Sequence, residues 1–83
     1  MRNYLNSNKK ASFPAIWAGL TATQQDDLRV KLVVAVRVKD NTLYRWYKGL
    51  NFPTDFATRR DVAQVVSDFT GRQLTAEDLF PDK

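Results

Sequence analysis

Apolar residues recur along this chain at spacings of three and four, the pattern of helices that bury one face. The first run is Phe13, Ile16, Trp17 and Leu20, at i, i+3, i+4 and i+7. Ser12 or Phe13 stands at its N-cap, and Pro14 falls in the first turn, where a missing N–H is tolerated. A short first helix is expected, with its aromatics in the core. Thr21, followed three residues later by Gln24, is a capping-box pattern for a second helix. Asp26 and Asp27 are expected in its early turns, where the macrodipole favours acids. Its stripe is Leu28, Leu32, Ala35 and Val36. The run from Val30 to Val38, VKLVVAVRV, is rich enough in β-branched residues to read as a strand. A strand needs partners, and no other segment of the chain offers one, so a helix is expected. The additional valines Val30, Val33 and Val34 either pack against other helices or form a dimer surface.

Arg37 to Asp40, RVKD, reads as a turn in which Val38 plugs the corner and Lys39 or Asp40 caps the next helix. In that third helix two stripes coexist. Leu43, Trp46, Tyr47 and Leu50 form an apolar one, and Asn41, Tyr44, Arg45 and Lys48 form a polar one with the same spacing. The polar stripe holds hydrogen-bonding and cationic groups and no carboxylate. Gly49 can take the left-handed conformation that ends a helix, and Pro53 prevents it from resuming. A fourth helix starts either at Thr54 with Asp55 or at Thr58 with Asp61, and its stripe is Val62, Val65, Val66 and Phe69, ending at Gly71. The fifth is short: Thr75 caps it, Asp78 is its third residue, Leu74 can staple onto Leu79, Phe80 adds an apolar plug and Pro81 stops it. The fold class expected is all-α, a compact bundle of about five short helices with no repeats and no long linker.

Charge adds direction to this picture. The net charge over 83 residues is +4. Residues 1–12 carry Arg2, Lys9 and Lys10 and no acid, while residues 29–48 carry Arg29, Lys31, Arg37, Lys39, Arg45 and Lys48 against Asp40 alone. Residues 61–83 are acidic, with Asp61, Asp68, Glu77, Asp78 and Asp82 against Arg72 and Lys83. A positive middle and an acidic tail point one face at a polyanion; the plainer alternative is an unevenly charged solvated surface. Residues 1–11 are read as a flexible basic arm touching phosphates or a minor groove, or else as a plain tail, with the domain proper at 12–83.

With no cysteine and no histidine, disulfides, Cys/His metal sites and Cys–His or Ser–His catalysis are excluded. The paired carboxylates Asp26/Asp27 and Glu77/Asp78 are explained by helix starts, so no enzyme activity, metal or cofactor is expected. The N-terminal stretch has no apolar run of the kind a signal peptide needs, and no window approaches the roughly 18 apolar residues of a membrane span. A cytoplasmic protein with no membrane association is expected.

The run VKDNTLYRWYKGLNFP (38–53), followed by an amphipathic helix and LTAEDLFP (74–81), resembles the helix-turn-helix domains of phage repressors, Cro proteins and xenobiotic-response-element-type bacterial regulators. Thr42, Leu43, Trp46, Gly49 and Pro53 match that family's recognition-helix motif, and Thr75 to Phe80 its last helix. The resemblance covers about residues 32–81. It implies a lambda-repressor-like fold, a recognition helix at about 40–48 in the major groove, base contacts at Asp40, Asn41 and Arg45, and phosphate contacts at Lys39, Thr42 and Lys48. The chemistry agrees: Arg can bind guanine O6 and N7 bidentately, and Asn can bind adenine N6 and N7 likewise. Asp40 either accepts from a cytosine amino group or caps the helix. Arg37 is a further phosphate contact, and Tyr44 either reaches sugar or phosphate or is ordinary surface. Two positions depart from the family, Arg37 for the usual turn Gly and Val33 for a small Ala, and predict a different angle between the two helices. The expected function is sequence-specific binding of double-stranded DNA by a small regulator of phage or mobile-element type, bacterial or phage-encoded, nucleoid-associated and homodimeric at least on DNA. The alternative is a helical protein-interaction adaptor, or an antitoxin-like partner protein, on the same scaffold without DNA readout.

Overall fold

Five helices make up the regular structure of residues 12–81, the part of the chain that the computed structural model describes. Four of them begin at a side chain that accepts from the first turn. In α1 (Phe13–Ala18), Ser12 Oγ accepts from the Ala15 N–H at 3.4 Å. Thr21 and Gln24 form both halves of a capping box at the start of α2 (Ala22–Val36), at 3.1 and 2.9 Å. Before α4 (Phe56–Thr70), Asp55 accepts from the Thr58 N–H and the Thr58 hydroxyl at 2.9 and 2.8 Å. Both bonds favour the ionised carboxylate and hold Asp55 below the ordinary aspartate range. Thr75 and Asp78 cap α5 (Ala76–Leu79) reciprocally, at 3.1 Å each way. The exception is α3 (Asp40–Tyr47), where Lys39 occupies the N-cap and makes no side-chain cap bond.

The valine-rich run is helical as far as Val36, and no strand forms among the described residues. Of the two candidate starts for α4, the earlier one at Asp55 is used, and Asp61 lies inside the helix. Asp26 and Asp27 fall in the second turn of α2, beyond the strongest reach of the macrodipole; Asp26 pairs with Arg29 instead, at 2.6 Å. Among the described residues, no helix is long and apolar enough to cross a membrane. The predicted basic arm, residues 1–11, lies outside the described residues.

Two pairs of helices and a plug build the body. Helix α2 packs along α4, α1 packs along α3, and α5 packs on α4 and reaches α1. Phe13 and Trp17, Leu28 and Leu32, Leu43 and Trp46, Val62 and Val66, and Leu79 supply the buried core from the five helices. Phe80, 1% exposed, closes it. Its ring centroid lies 5.7 Å from Phe13, 5.1 Å from Phe52 and 6.1 Å from Trp46. Burying such a ring is worth about 1.5–3 kcal/mol, and each well-placed aromatic pair adds about 0.5–1.5 kcal/mol. Ala35, expected in the core stripe, is exposed, and Val33 packs against the core in its place.

Candidate nucleic-acid interface

Helix α3 is eight residues long and divides cleanly. Leu43 and Trp46 are buried and Tyr47 is half-buried, whereas Asn41, Tyr44, Arg45 and Lys48 are exposed. At 3.6 residues per turn, Asn41, Arg45 and Lys48 lie within about 60° of one another on the side opposite Leu43. The buried side is held by aromatic stacking: Tyr47 lies on Trp17 of α1 with centroids 4.3 Å apart and planes 6° apart. Tyr44 stands edge-on to Tyr47 at 5.5 Å, and Lys48 Nζ sits 5.7 Å from the Tyr44 ring centre. Tyr44 is thereby fixed at the flank of the cationic ridge, 45% exposed.

The end of α3 is a Schellman motif. Gly49, with φ 75°, donates to the Trp46 carbonyl at 3.1 Å, and Leu50 donates to the Arg45 carbonyl at 2.8 Å. This motif usually adds an apolar contact between the residues now held by Leu50 and Arg45, and Arg45 cannot supply it. Leu50 is accordingly 68% exposed. Its predicted place in the apolar stripe is corrected: the helix stops at Tyr47, before a residue at i+7 can reach the core side.

The start of α3 is set by three connecting residues. Arg37 ends α2 in the left-handed region, φ 64° and ψ 39°, and is the one positive-φ residue other than glycine among the described residues. Val38 is buried, as the corner plug that the sequence implies, and Lys39 is extended and exposed. Asp40, predicted as a cap or a base contact, is the first residue of α3 and caps nothing. Its carboxylate accepts from Arg29 at 3.3 Å, while the other guanidinium nitrogen of Arg29 binds Asp26 at 2.6 Å. The hydrogen bonds to Asp26 and then Asp40 raise the Arg29 pKa still further above the physiological range. Arg29 therefore bridges α2 to the first turn of α3, a role the sequence reading missed. The Asp26–Arg29 spacing of three is visible along a helix; the Arg29–Asp40 contact exists only once the connection has folded.

Thr42 is half-buried on the flank of α3. Arg37, Lys39, Arg45 and Lys48 are all exposed and make no ion pair among the described residues. The eight predicted contact residues thus lie in one continuous stretch, residues 37–48. Four unpaired cations and Asn41 face solvent there, while Asp40 shares the single charge of Arg29 with Asp26. Exposed cations of this kind can bind phosphates, and the outward face of α3 can present hydrogen-bonding groups to a groove. No family model matches this chain, and no curated protein or solved structure matches it either.

Proposed function

We propose that α2, the connection 37–39 and α3 form a lambda-repressor-like helix-turn-helix, and that the protein is a small regulator of phage or mobile-element type. It would bind double-stranded DNA sequence-specifically with α3 in the major groove, acting in the cytoplasm at the nucleoid. The observation that carries this reading is the outward face of α3: Asn41, Arg45 and Lys48 exposed and unopposed by acid on a helix clamped from behind by Trp17. Arg45 reads guanine and Asn41 reads adenine, each worth about 1–3 kcal/mol against a wrong base. Arg37, Lys39 and Lys48 neutralise phosphates, while Thr42 and Tyr44 hydrogen-bond to the backbone. Asp40 holds Arg29 and orients the helix start; its base contact is secondary. One short helix buries too little surface for useful specificity, so two copies bind a two-fold site with half-sites about one helical turn apart.

The test is selection of the purified protein on a random duplex pool at two salt concentrations. An enriched palindromic motif is expected. Three cations per copy predict a log–log salt slope of about −5 for the dimer. Arg45→Ala should lower affinity for the selected site while leaving random-sequence binding intact, whereas Lys48→Ala should weaken both and reduce the slope by about one per copy. Retention without enrichment, or an Arg45→Ala protein with unchanged selectivity, refutes the base-reading role. The exposure of Val30 and Val34 favours a second reading, a protein-interaction adaptor; absence of any retention at low salt would select it.

A further inference from the structure

Helix α2 is apolar on two sides. Leu28 and Leu32 face the core and are fully buried, whereas Val30 is 48% and Val34 71% exposed. The outer side opens on a groove of about 470 Å³ between α2 and α4, lined by Val30, Val34, Val65 and Phe69 among others. The groove also holds one charge of each sign, Lys31 from α2 and Asp68 from α4. Lys31 makes no ion pair among the described residues. Asp68 accepts a hydrogen bond from the Gln64 amide at 3.1 Å and no ion pair among the described residues.

We infer that the occupant of this groove is a second copy of the same chain, docked about a two-fold axis. An isologous interface sets residue i against j and j against i. An axis running along the groove exchanges the α2 and α4 walls, so each Lys31 meets the Asp68 of the other copy while the valines and Phe69 are covered. The groove is its own electrostatic complement: one cation and one anion on opposite walls, with no excess of either. The α3 side is not, because its four unopposed cations repel an identical surface. None of the groove's residues belongs to α3. Docking there leaves the cationic ridge of both copies uncovered. Such a dimer is the two-copy arrangement on which the proposed DNA binding rests, yet it forms without DNA, so each can fail alone.

The test is sedimentation equilibrium of the full chain, without DNA, over a concentration series reaching the millimolar range. The wild type is expected to dimerise reversibly, and Val34→Asp to weaken dimerisation at least tenfold. Lys31→Glu and Asp68→Lys, both exposed and checked for folding by circular dichroism, should each weaken it at least tenfold, because each places like charges across the axis. An equimolar mixture of these two variants should recover a dimer, since every introduced charge then meets an opposite one. A wild type that stays monomeric overturns the inference. So does a pair of charge variants that associate like the wild type, or whose mixture stays monomeric.

Discussion

Arg37 holds a backbone conformation that its own Cβ disfavours, and this gives a stability experiment with an internal standard. Its φ of 64° lies in the left-handed region, which costs an L-residue about 1–2 kcal/mol and glycine almost nothing. Arg37→Gly removes that cost but adds freedom to the unfolded chain, worth about 0.4–1 kcal/mol. The net expectation is a gain of about 0.5–1 kcal/mol, or about 2–8 °C in Tm for a domain of this size. Arg37→Ala deletes the same charge and keeps the Cβ, so it should gain nothing. The standard is Gly71, whose φ is 75° and whose added Cβ would meet nothing within 4 Å. Gly71→Ala therefore measures the backbone penalty without a steric contribution, and should lose about 1 kcal/mol. Urea unfolding followed by fluorescence suits the assay, because both tryptophans are buried; the midpoint should move with an unchanged m-value. If Arg37→Gly is no more stable than Arg37→Ala while Gly71→Ala shows its loss, the left-handed connection is wrong. If the proposed DNA binding holds, the same Arg37→Gly protein should bind DNA less tightly and with a shallower salt slope, since it lacks the proposed phosphate contact. Stability and function would then move in opposite directions at one residue.

Other perturbations test the core and the helix caps behind α3. Trp46→Ala removes a ring 4% exposed that packs edge-on to Phe80 and should cost about 3–5 kcal/mol; a variant that unfolds in urea like the wild type would refute the inward placement of that face. Leu50→Gln should change stability by no more than about 0.5 kcal/mol in the same assay, as expected for an exposed side chain; a larger loss would return Leu50 to the core. Asp55→Ala should lower Tm at neutral pH. The depressed pKa of Asp55 means that its contribution is present above the ordinary value near 3.8 and is lost as pH falls through the folded-state value. The gap between wild type and variant, followed by thermal melts from pH 7 downward, should therefore narrow in acid; a gap that widened would reverse the sign of the linkage.

Features that depend on neighbours within four residues were legible in the sequence. The Thr21–Gln24 and Thr75–Asp78 boxes form as their spacing implies, because capping needs little beyond the local chain. The all-helical character survived a β-branched run for the converse reason: the run had no partner strand to pair with. What was not legible depends on where helices stop and how they meet. Leu50 fits the apolar spacing of α3, but the Schellman turn at Gly49 takes it out of the helix. Ala35 and Val33 both fit α2, and only the way the helices meet decides which is covered. The outward face of α3 was legible as a set of exposed positions, since helix periodicity specifies a face. Its electrostatic state was not, because the Arg29–Asp40 ion pair spans eleven residues and a folded connection.

Phe80 has a consequence for synthesis. It gathers rings from α1, from α3 and from the segment between α3 and α4, yet nearly all of the described chain separates it from Phe13. A ribosome adding about 5–20 residues per second needs on the order of several seconds to make that intervening stretch. Throughout that interval the emerging α1 has its apolar face made and its lid still unwritten. A released chain truncated just short of Phe80 would carry every other element of the core and still leave Phe13, Trp46 and Phe52 without the ring that joins them.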